Sequence, residues 1–399
     1  MNPPIRILPI IVFSQFCCTS LWFAGNAVMP NLLLDFNLAP TALGSLTSAV
    51  QFGFIIGTLV FAVLSIADRF SPSKVFFFCA LIGAVSNLGA VWGGNTLWSL
   101  ISFRFVTGFF LAGIYPVGMK IASDYYEKGL GKSLGFLVGA LVLGTAFPHL
   151  LKQITQNIEW QLVIYITSAL AGLGGILLLI LVPDGPFQKR SQRPDFSAFF
   201  QVFKKKEFRA SAFGYFGHMW ELYAFWAFVP IILIAYQELH TITEFNIPLL
   251  SFIIIGIGSL SCIAGGYISE KYGAKKTAST FLLLSGLCCL ISPLIILYTP
   301  AGTFILFLIF WGMVVIADSP LFSTLVATHA PAETKGTALT IVNSIGFAIT
   351  IVSIQLLNIL RLEISPVFLY IILAIGPALG LWGLFKEKKS DVKQNNFNY

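Results

Sequence analysis

The feature that most constrains this chain is a succession of apolar stretches, each long enough to cross a lipid bilayer. A hydrocarbon core of ~30 Å requires about 20 apolar residues in a helix, and a helix satisfies its own backbone hydrogen bonds inside lipid. The pattern therefore predicts an all-α membrane protein of twelve transmembrane helices. They fall near residues 7–33, 42–66, 74–93, 96–119, 132–152, 160–182, 210–235, 248–268, 277–298, 303–327, 336–359 and 366–385.

Composition excludes a soluble fold. Hydrophobic residues make up 57% of the 399 and charged residues only 10%, whereas a soluble domain carries about 25% charged residues. A signal peptide is the alternative for the N-terminal stretch, since Arg6 precedes an apolar run. That run continues to Leu34 without a convincing cleavage site, so we interpret it as the first spanning helix.

The distribution of lysine and arginine predicts the orientation in the membrane. Of the 24 basic residues, 21 fall on the side of the termini, two (Lys152 and Arg361) on the other side, and Arg104 inside a helix. Basic residues accumulate in cytoplasmic loops. Both termini are therefore predicted to be cytoplasmic, in a bacterial inner membrane. The same count explains the basic net charge as topological, so no nucleic-acid partner is expected.

A polar segment, residues 183–209, divides the chain. It contains Pro183, Pro186 and Pro194 and a run of three lysines at 204–206, which we expect to lie on anionic headgroups. The predicted units are an N-terminal bundle, 1–182, and a C-terminal bundle, 210–385, with this cytoplasmic loop between them. The remaining residues, 386–399, are predicted to form a cytoplasmic tail.

Two loops on the same side of the membrane repeat one pattern. Residues 65–74 read SIADRFSPSK and residues 267–276 read YISEKYGAKK, so that adding 202 maps Asp68 onto Glu270 and Lys74 onto Lys276. A repeated loop at this distance indicates that the two halves are copies of one another.

These loops resemble the signature of the major facilitator superfamily, roughly G-x-x-x-D-R-x-G-R-[RK], although Ser65 and Ser71 replace the usual glycines. Arg104 and Gly108 are similar to the R-x-x-x-G motif of the family's fourth helix. The fifth helix lacks the Gly-Pro motif typical of drug/proton antiporters. The resemblance implies two pseudo-symmetric six-helix bundles with a substrate site between them and alternating access by rocking.

The paired loops are also a predicted cytoplasmic gate. An acidic residue beside a basic one at a helix end can form a charge network in one conformation and release it in another. The alternative is solvation of the helix ends. The predicted gate residues are Asp68, Arg69, Lys74, Glu270, Lys271 and Lys276.

Charged side chains inside the predicted spans are candidates for function, since each costs roughly 2.5–3.5 kcal/mol at a helix centre on insertion scales. Arg104 is expected either to hold an anionic substrate or to bond backbone carbonyls of neighbouring helices. Asp318 precedes Pro320, which cannot donate to the carbonyl of Ile316. It is expected to act as an ion site at a hinge, or else to pair with a loop lysine.

The seventh predicted helix carries Tyr215, His218 and Glu221 at intervals of three residues. The functional hypothesis makes Glu221 a proton acceptor, with His218 tuning it and aromatic residues lining the substrate path. The alternative is a satisfied polar cluster that packs against the eleventh or twelfth helix.

Polar stripes in the first and eleventh helices are expected to turn inward, because lipid cannot satisfy them. Gln15, Trp22 and Asn26 in the first helix and Asn343 in the eleventh are the substrate-path candidates among them. Interhelical hydrogen bonding is the alternative for each. His149, in the fifth helix, is a weaker candidate.

Together these features predict a secondary active transporter of a small solute, with the proton as coupling ion and a lean towards an organic or inorganic anion because of Arg104. An exporter of amphipathic compounds is the alternative. A membrane receptor or enzyme is disfavoured, because no soluble sensory domain and no reactive motif is present. Two complete halves need no partner, so a monomer is expected to suffice. The six cysteines lie in apolar segments without metal-ligand spacing, so neither a metal nor a cofactor is expected.

Overall fold

The computed structural model describes residues 6–126, 130–187, 203–241, 244–330 and 335–386. In these residues the chain is almost entirely helical, and eleven helices are long and apolar enough to cross a membrane. A twelfth, N-terminal helix, Ile7–Thr19, is apolar but shorter. The predicted all-α membrane fold is confirmed.

The spans, labelled α1 to α12, follow the predicted order with ends mostly within a few residues of those expected. Their bounds are Ile7–Thr19, Ala24–Ala27 and Met29–Asp35 (α1), Ala42–Val63 (α2), Pro72–Leu88 (α3), Leu97–Leu111 and Tyr115–Tyr125 (α4), Leu130–Ile154 (α5), Gln161–Leu181 (α6), Lys206–Leu239 (α7), Ile247–Gly256 and Gly258–Tyr272 (α8), Ala274–Tyr298 (α9), Ala301–Ala317 and Ser319–His329 (α10), Lys335–Leu360 (α11), and Pro366–Leu369 with Tyr370–Ala374 and Ile375–Lys386 (α12).

The prediction of one continuous first helix over 7–33 is wrong. The helix stops at Thr19 and restarts at Ala24, and a second interruption falls at Val28. At the first break the chain closes short turns, with the amide of Trp22 donating to the carbonyl of Thr19. The carbonyls of Leu21 and Trp22 are consequently left without intrahelical donors and need partners elsewhere.

Pairs of residues spaced alike in the two halves make the same close contact. Gly108 in α4 lies so near α2 that a Cβ there would overlap the carbonyl oxygen of Val50. Gly312 in α10 has the same relation to Ile254 in α8. Gly312 follows Gly108 by 204 residues, and Ile254 follows Val50 by the same number. The halves are therefore built as copies, as the loop repeat predicted.

The two halves meet along two helix pairs, α2 with α11 and α5 with α8. We call the side of the molecule that carries Arg6 and Lys386 the terminal face, and the other side the opposite face. The polar stretch between the halves is shorter than predicted, because α7 already begins at Lys206. Residues 188–202 of that loop, with Lys189, Arg190, Arg193 and Pro194, and tail residues 387–399 lie outside the described residues.

Candidate functional site

A hydrogen-bonded seam joins α2 to α11 at the opposite face. Arg361 donates to the carbonyl of Pro40, Asn358 donates to the carbonyl of Thr41 over 2.9 Å, and Gln355 donates to Ser48 over 2.9 Å. We call these three contacts the opposite-face seam. Because the two helices belong to different halves, the seam holds the halves together at one face.

Gly44 allows this approach. A Cβ at Gly44 would overlap the side chain of Asn358, which is 2% exposed and packs directly on the glycine. Sequence analysis did not include Gly44, Asn358 or Arg361 among the candidate site residues.

Between the halves, deeper than the seam, four rings form an interface cluster: Trp22, Phe54, Tyr223 and Phe347. The Trp22 ring lies 5.7 Å from Tyr223 and 5.8 Å from Phe347, at interplanar angles of 25° in both cases. Phe54 and Phe347 join the two halves at 4.5 Å. The cluster thus combines α1 and α2 of one half with α7 and α11 of the other.

Several buried polar groups of these helices have no hydrogen-bond partner among the described residues. They include the Nε1 atoms of Trp22 and Trp226 and both amide atoms of Gln15 and Gln51. Asn26 is satisfied differently, since it donates to Thr47 of α2 over 2.8 Å. Trp22 thus lies in the interface cluster, whereas Asn26 is bonded within its own half.

Arg104 occupies the position that the break in α1 creates. Its guanidinium donates to the carbonyl of Leu21 over 3.0 Å and to the carbonyl of Trp22. It also reaches the side-chain oxygen of Asn87 at 3.4 Å, and the Asn87 amide donates to Ser168 of α6 over 3.0 Å. The arrangement matches the structural alternative foreseen for Arg104, because the cation satisfies backbone groups that a continuous helix would have satisfied.

We expect Arg104→Leu to lower the free energy of unfolding by about 3 kcal/mol, because two carbonyls lose a charged donor inside the membrane. Arg104→Lys should be intermediate, since one ammonium cannot fork between two carbonyls as a guanidinium does. Thermal unfolding of the purified protein measures both. Ser102→Ala, at an exposed position of the same helix, is the control and should leave stability unchanged.

Of the three predicted residues of α7, Tyr215 and His218 have their rings 6.1 Å apart, whereas Glu221 has different neighbours. At 100° per residue, positions three apart differ by about 60° around the helix, so the side chains fan out. Tyr215 packs against Gly346 of α11, His218 faces Asp318 of α10, and Glu221 faces α9 and α10. The alternative prediction, that this polar cluster packs against α11 or α12, is therefore wrong for Glu221, whose partners lie on α9 and α10.

Glu221 is fully buried and accepts three hydrogen bonds. Trp311 donates to Oε1 over 2.7 Å, Cys289 donates to the same oxygen over 3.3 Å, and Ser285 donates to Oε2 over 2.9 Å. Both oxygens of the Glu221 side chain therefore accept hydrogen bonds from neighbouring helices. Glu221 consequently ties together α7, α9 and α10 inside the C-terminal half, away from the interface cluster.

We expect Glu221→Gln to lower the free energy of unfolding by about 1–3 kcal/mol, because an amide NH₂ would stand where one oxygen now accepts. The measurement is thermal unfolding in detergent, with Glu238→Gln at the exposed end of the same helix as control. An unchanged stability for Glu221→Gln would contradict the assignment of Glu221 to helix packing.

His218 and Asp318 form a buried pair at the break in α10. Nδ1 of His218 lies 2.8 Å from Oδ1 of Asp318, and both side chains are almost completely inaccessible. The break follows from Pro320, which leaves the carbonyl of Ile316 without its usual donor, and Cys262 of α8 donates to that carbonyl over 3.6 Å. Within the described residues, Nε2 of His218 and Oδ2 of Asp318 have no partner. The predicted pairing of Asp318 with a loop lysine is not what the geometry shows.

The predicted gate residues lie at the terminal face. Arg69, Lys74, Glu270, Lys271 and Lys276 are exposed, and the side chain of Asp68 lies outside the described part of the structure. Ser65, which stands where the family signature has glycine, adopts a left-handed conformation with φ of 50°, a conformation that glycine adopts most readily. Asn343 is half-buried in α11, on the terminal-face side of Phe347.

The cysteines are buried and free. Two of them act as hydrogen-bond donors, Cys262 to a backbone carbonyl and Cys289 to Glu221. Across the described ranges, no three His, Cys, Asp or Glu side chains gather in a way that could hold a metal ion.

The fold and the seam define a polytopic membrane protein made of two repeated helical halves that meet around a central interface. The chain belongs to the major facilitator superfamily, whose family model matches residues 11–354. The resemblance drawn from the loop signature is confirmed, and the superfamily is one of transporters, not of enzymes.

Curated relatives match over shorter stretches. A putative metabolite transport protein of Haemophilus influenzae is 29% identical over 29% of this chain and 30% of its own length. The inner membrane metabolite transport protein YdjE of Escherichia coli is 32% identical over 30% of this chain and 26% of its own length. The 4-hydroxybenzoate transporter PcaK of Acinetobacter baylyi is 29% identical over 31% of this chain and 29% of its own length. The chain therefore spans less than a third of the length of each of these relatives.

Solved structures match over nearly the whole chain. A point mutant of the nucleoside transporter NupG has a TM-score of 0.70 at 15% identity, and the match covers 95% of this chain and 98% of the mutant. A bacterial homologue of the human lysosomal transporter Spinster has a TM-score of 0.66 at 15% identity, and the match covers 95% of this chain and 94% of the homologue. At this identity the likeness establishes the fold alone.

Proposed function

We propose that this protein is a secondary active transporter that moves a small solute across the membrane by alternating access, with the proton as coupling ion. The opposite-face seam is the observation that carries the proposal. It closes one end of the interface between two repeated halves with three side-chain hydrogen bonds, which a rocking motion can break without unfolding either half. The rocking units would be residues 1–182 and 210–385, with the second beginning at Lys206.

The terminal face would be cytoplasmic in a bacterial inner membrane, with both termini inside the cell. The exposed lysines of that face, Lys74, Lys271, Lys275 and Lys276, support this orientation. The seam would then close the periplasmic side, and the exposed gate residues would belong to a cytoplasmic gate in its released state. A single chain would suffice for this mechanism.

The proton would be carried by the pair of His218 and Asp318 in preference to Glu221. Each member of the pair keeps one polar atom without a protein partner among the described residues, whereas Glu221 already accepts three hydrogen bonds. The pair also lies at the break in α10, where a change of charge could alter the angle between Ala301–Ala317 and Ser319–His329.

The lean towards an anionic substrate rested on Arg104, and its guanidinium is taken up by α1 and Asn87. The name of the relative PcaK favours an aromatic anion, but this geometry commits the Arg104 cation to protein acceptors. Export of amphipathic compounds remains the second candidate, favoured by the aromatic interface cluster.

Proton movement in proteoliposomes tests the proposal. Wild-type protein, supplied with a panel of small metabolites, should acidify or alkalinise the lumen when its substrate is added. Asp318→Asn should abolish this movement while leaving substrate exchange between the two sides intact. Glu221→Gln, which alters an equally buried acid of the same half, is the matched control and should retain the movement.

Loss of coupling in Glu221→Gln but not in Asp318→Asn would reverse the assignment of the coupling group. Substrate uptake without any proton movement in wild-type protein would contradict proton coupling. The absence of uptake for the whole panel with folded protein would count against transport itself.

A further inference from the structure

We infer that the interface cluster, together with Gln51 and Trp226, is a binding site for an uncharged solute with a flat ring and hydrogen-bond acceptors at its edge. The inference rests on the proposed function, since it names the substrate class for the same interface. Its support comes from ring geometry, unpartnered donors and the placement of charge.

The rings are arranged for stacking. Trp22 faces both Tyr223 and Phe347, with interplanar angles of 25° to each, and these two rings lie 5.3 Å from one another. Tyr223 and Phe347 belong to the other half, so rocking separates them from Trp22. A gap wider by about 3.5–4 Å, the contact distance of carbon atoms, would admit one flat ring between them. Stacked rings at about 4.5–7 Å between centroids are a favourable geometry.

Donors at the edge of the cluster lack partners. The indole Nε1 atoms of Trp22 and Trp226 are unpartnered within the described ranges, and both side chains are at most 1% exposed. Trp226 packs edge-on against Tyr223 at 5.2 Å. An indole can only donate, and a buried donor without an acceptor is destabilising. A ligand carrying acceptors would remove that cost.

Gln51 adds a group that both donates and accepts. It lies three residues before Phe54 and three after Ser48, so its position around α2 is within about 60° of both, and both of these residues contact α11. Its amide is 0% exposed and has no partner in the part of the chain that the structure describes. Among the described residues, two donor-only indoles and one amide are therefore unpartnered on the segments that carry the stack, which suits a ring bearing carbonyl or hydroxyl oxygens.

The charges nearest the stack are already engaged by protein groups. Arg104 donates to the backbone carbonyls of Leu21 and of Trp22 itself and to Asn87, and Glu221 and Asp318 are bonded within the C-terminal half. Across the described residues, the ring contacts of the cluster are all with uncharged aromatic side chains. A net charge on the solute would lose its hydration there without a free counter-charge.

Equilibrium binding to the full-length protein in nanodiscs tests the inference. Three matched probes test planarity and charge separately. The first, 2-quinolone, is planar and neutral. Its octahydro analogue keeps the lactam but is not flat, and quinoline-2-carboxylate is planar and anionic. We expect 2-quinolone to bind at least about tenfold more tightly than either of the others. Trp226→Phe, which keeps an aromatic ring but removes the N–H, should weaken binding of 2-quinolone about 3- to 10-fold.

Trp98→Phe, at an exposed position of α4, is the control and should leave binding unchanged. Equal binding of the octahydro analogue would overturn the stacking role, and tighter binding of the carboxylate would overturn the preference for a neutral solute. No saturable binding of 2-quinolone up to its solubility would overturn the site. Equilibrium binding is measured without a gradient and does not require translocation. A failure of the transport proposal can therefore be told apart from a failure of the binding site.

Discussion

Replacement of Gly44 by leucine is expected to prevent closure of the opposite face and to lower transport at least about tenfold. A Cβ at this position already overlaps the side chain of Asn358, and the remaining leucine atoms would force α2 and α11 apart. The contacts of Asn358 with Thr41 and of Gln355 with Ser48 would then be lost. Well-packed helices do not absorb an added side chain of this size without such movement.

The measurement is the labelling rate of Ser48→Cys by a membrane-impermeant maleimide added from the side of the opposite face. Ser48 is 8% exposed in the closed seam, and we expect labelling to rise strongly when Gly44→Leu is combined with it. Gly302→Leu, at a position on the same face with nothing within 4 Å of a Cβ, is the control. Slow labelling of Ser48→Cys together with normal transport in Gly44→Leu would refute the role of the seam.

The second large effect is expected on stability. Gly108→Ala and Gly312→Ala should each lower the free energy of unfolding by about 2–3 kcal/mol, because the added methyl overlaps a backbone carbonyl, which cannot turn aside as a side chain can. The two losses of stability should be similar in size, since the backbone carbonyls of Val50 and Ile254 occupy equivalent positions in the two halves. Thermal or denaturant unfolding of the purified variants provides the values.

Gly172→Ala and Gly266→Ala are the matched controls, because a Cβ at either position meets nothing within 4 Å. Alanine favours the helix over glycine by about 1 kcal/mol, so these variants should be as stable as wild type or more stable. A gain in stability for Gly108→Ala would contradict the close approach of α2 and α4.

Sequence reasoning predicted the fold well because lipid imposes a simple rule. Each span needs about 20 apolar residues, and the observed ends follow the predicted ones closely. The break of α1 at Thr19 was missed, since nothing in residues 19–24 interrupts the apolar run. The group that satisfies the broken turn lies far along the chain, where Arg104 donates to the carbonyls of Leu21 and Trp22.

The candidate site was predicted in part. The cost of charge inside lipid singled out Arg104, His218, Glu221 and Asp318, and all four are buried. Which of them meet could not be read from spacing, because the step of about 60° between positions three apart sends His218 to α10 and Glu221 to α9 and α10. The interval of three residues suggested one cluster where the packed helices make two.

The residues of the seam were missed, and the reason differs from that for the α7 residues. Gln355, Asn358 and Arg361 do recur every three residues near the end of α11, and that spacing was a usable signal. Their acceptors on the α2 side are two backbone carbonyls and one serine. Backbone acceptors leave no mark in a sequence, so the partner helix could not be named.

Alternating access requires that opening one face closes the other. Distances between two pairs of spin labels, placed in or next to α2 and in α11, measure this most directly. One pair, at Ser45 and Ile359, reports the opposite face, and the other, at Arg69 and Gly336, reports the terminal face. In the wild-type background the opposite-face pair should be short and the terminal-face pair long. The Gly44→Leu substitution should lengthen the first distance and shorten the second. If the opposite-face pair lengthens while the terminal-face pair stays unchanged, the seam opens locally and the halves do not rock, which would contradict the account.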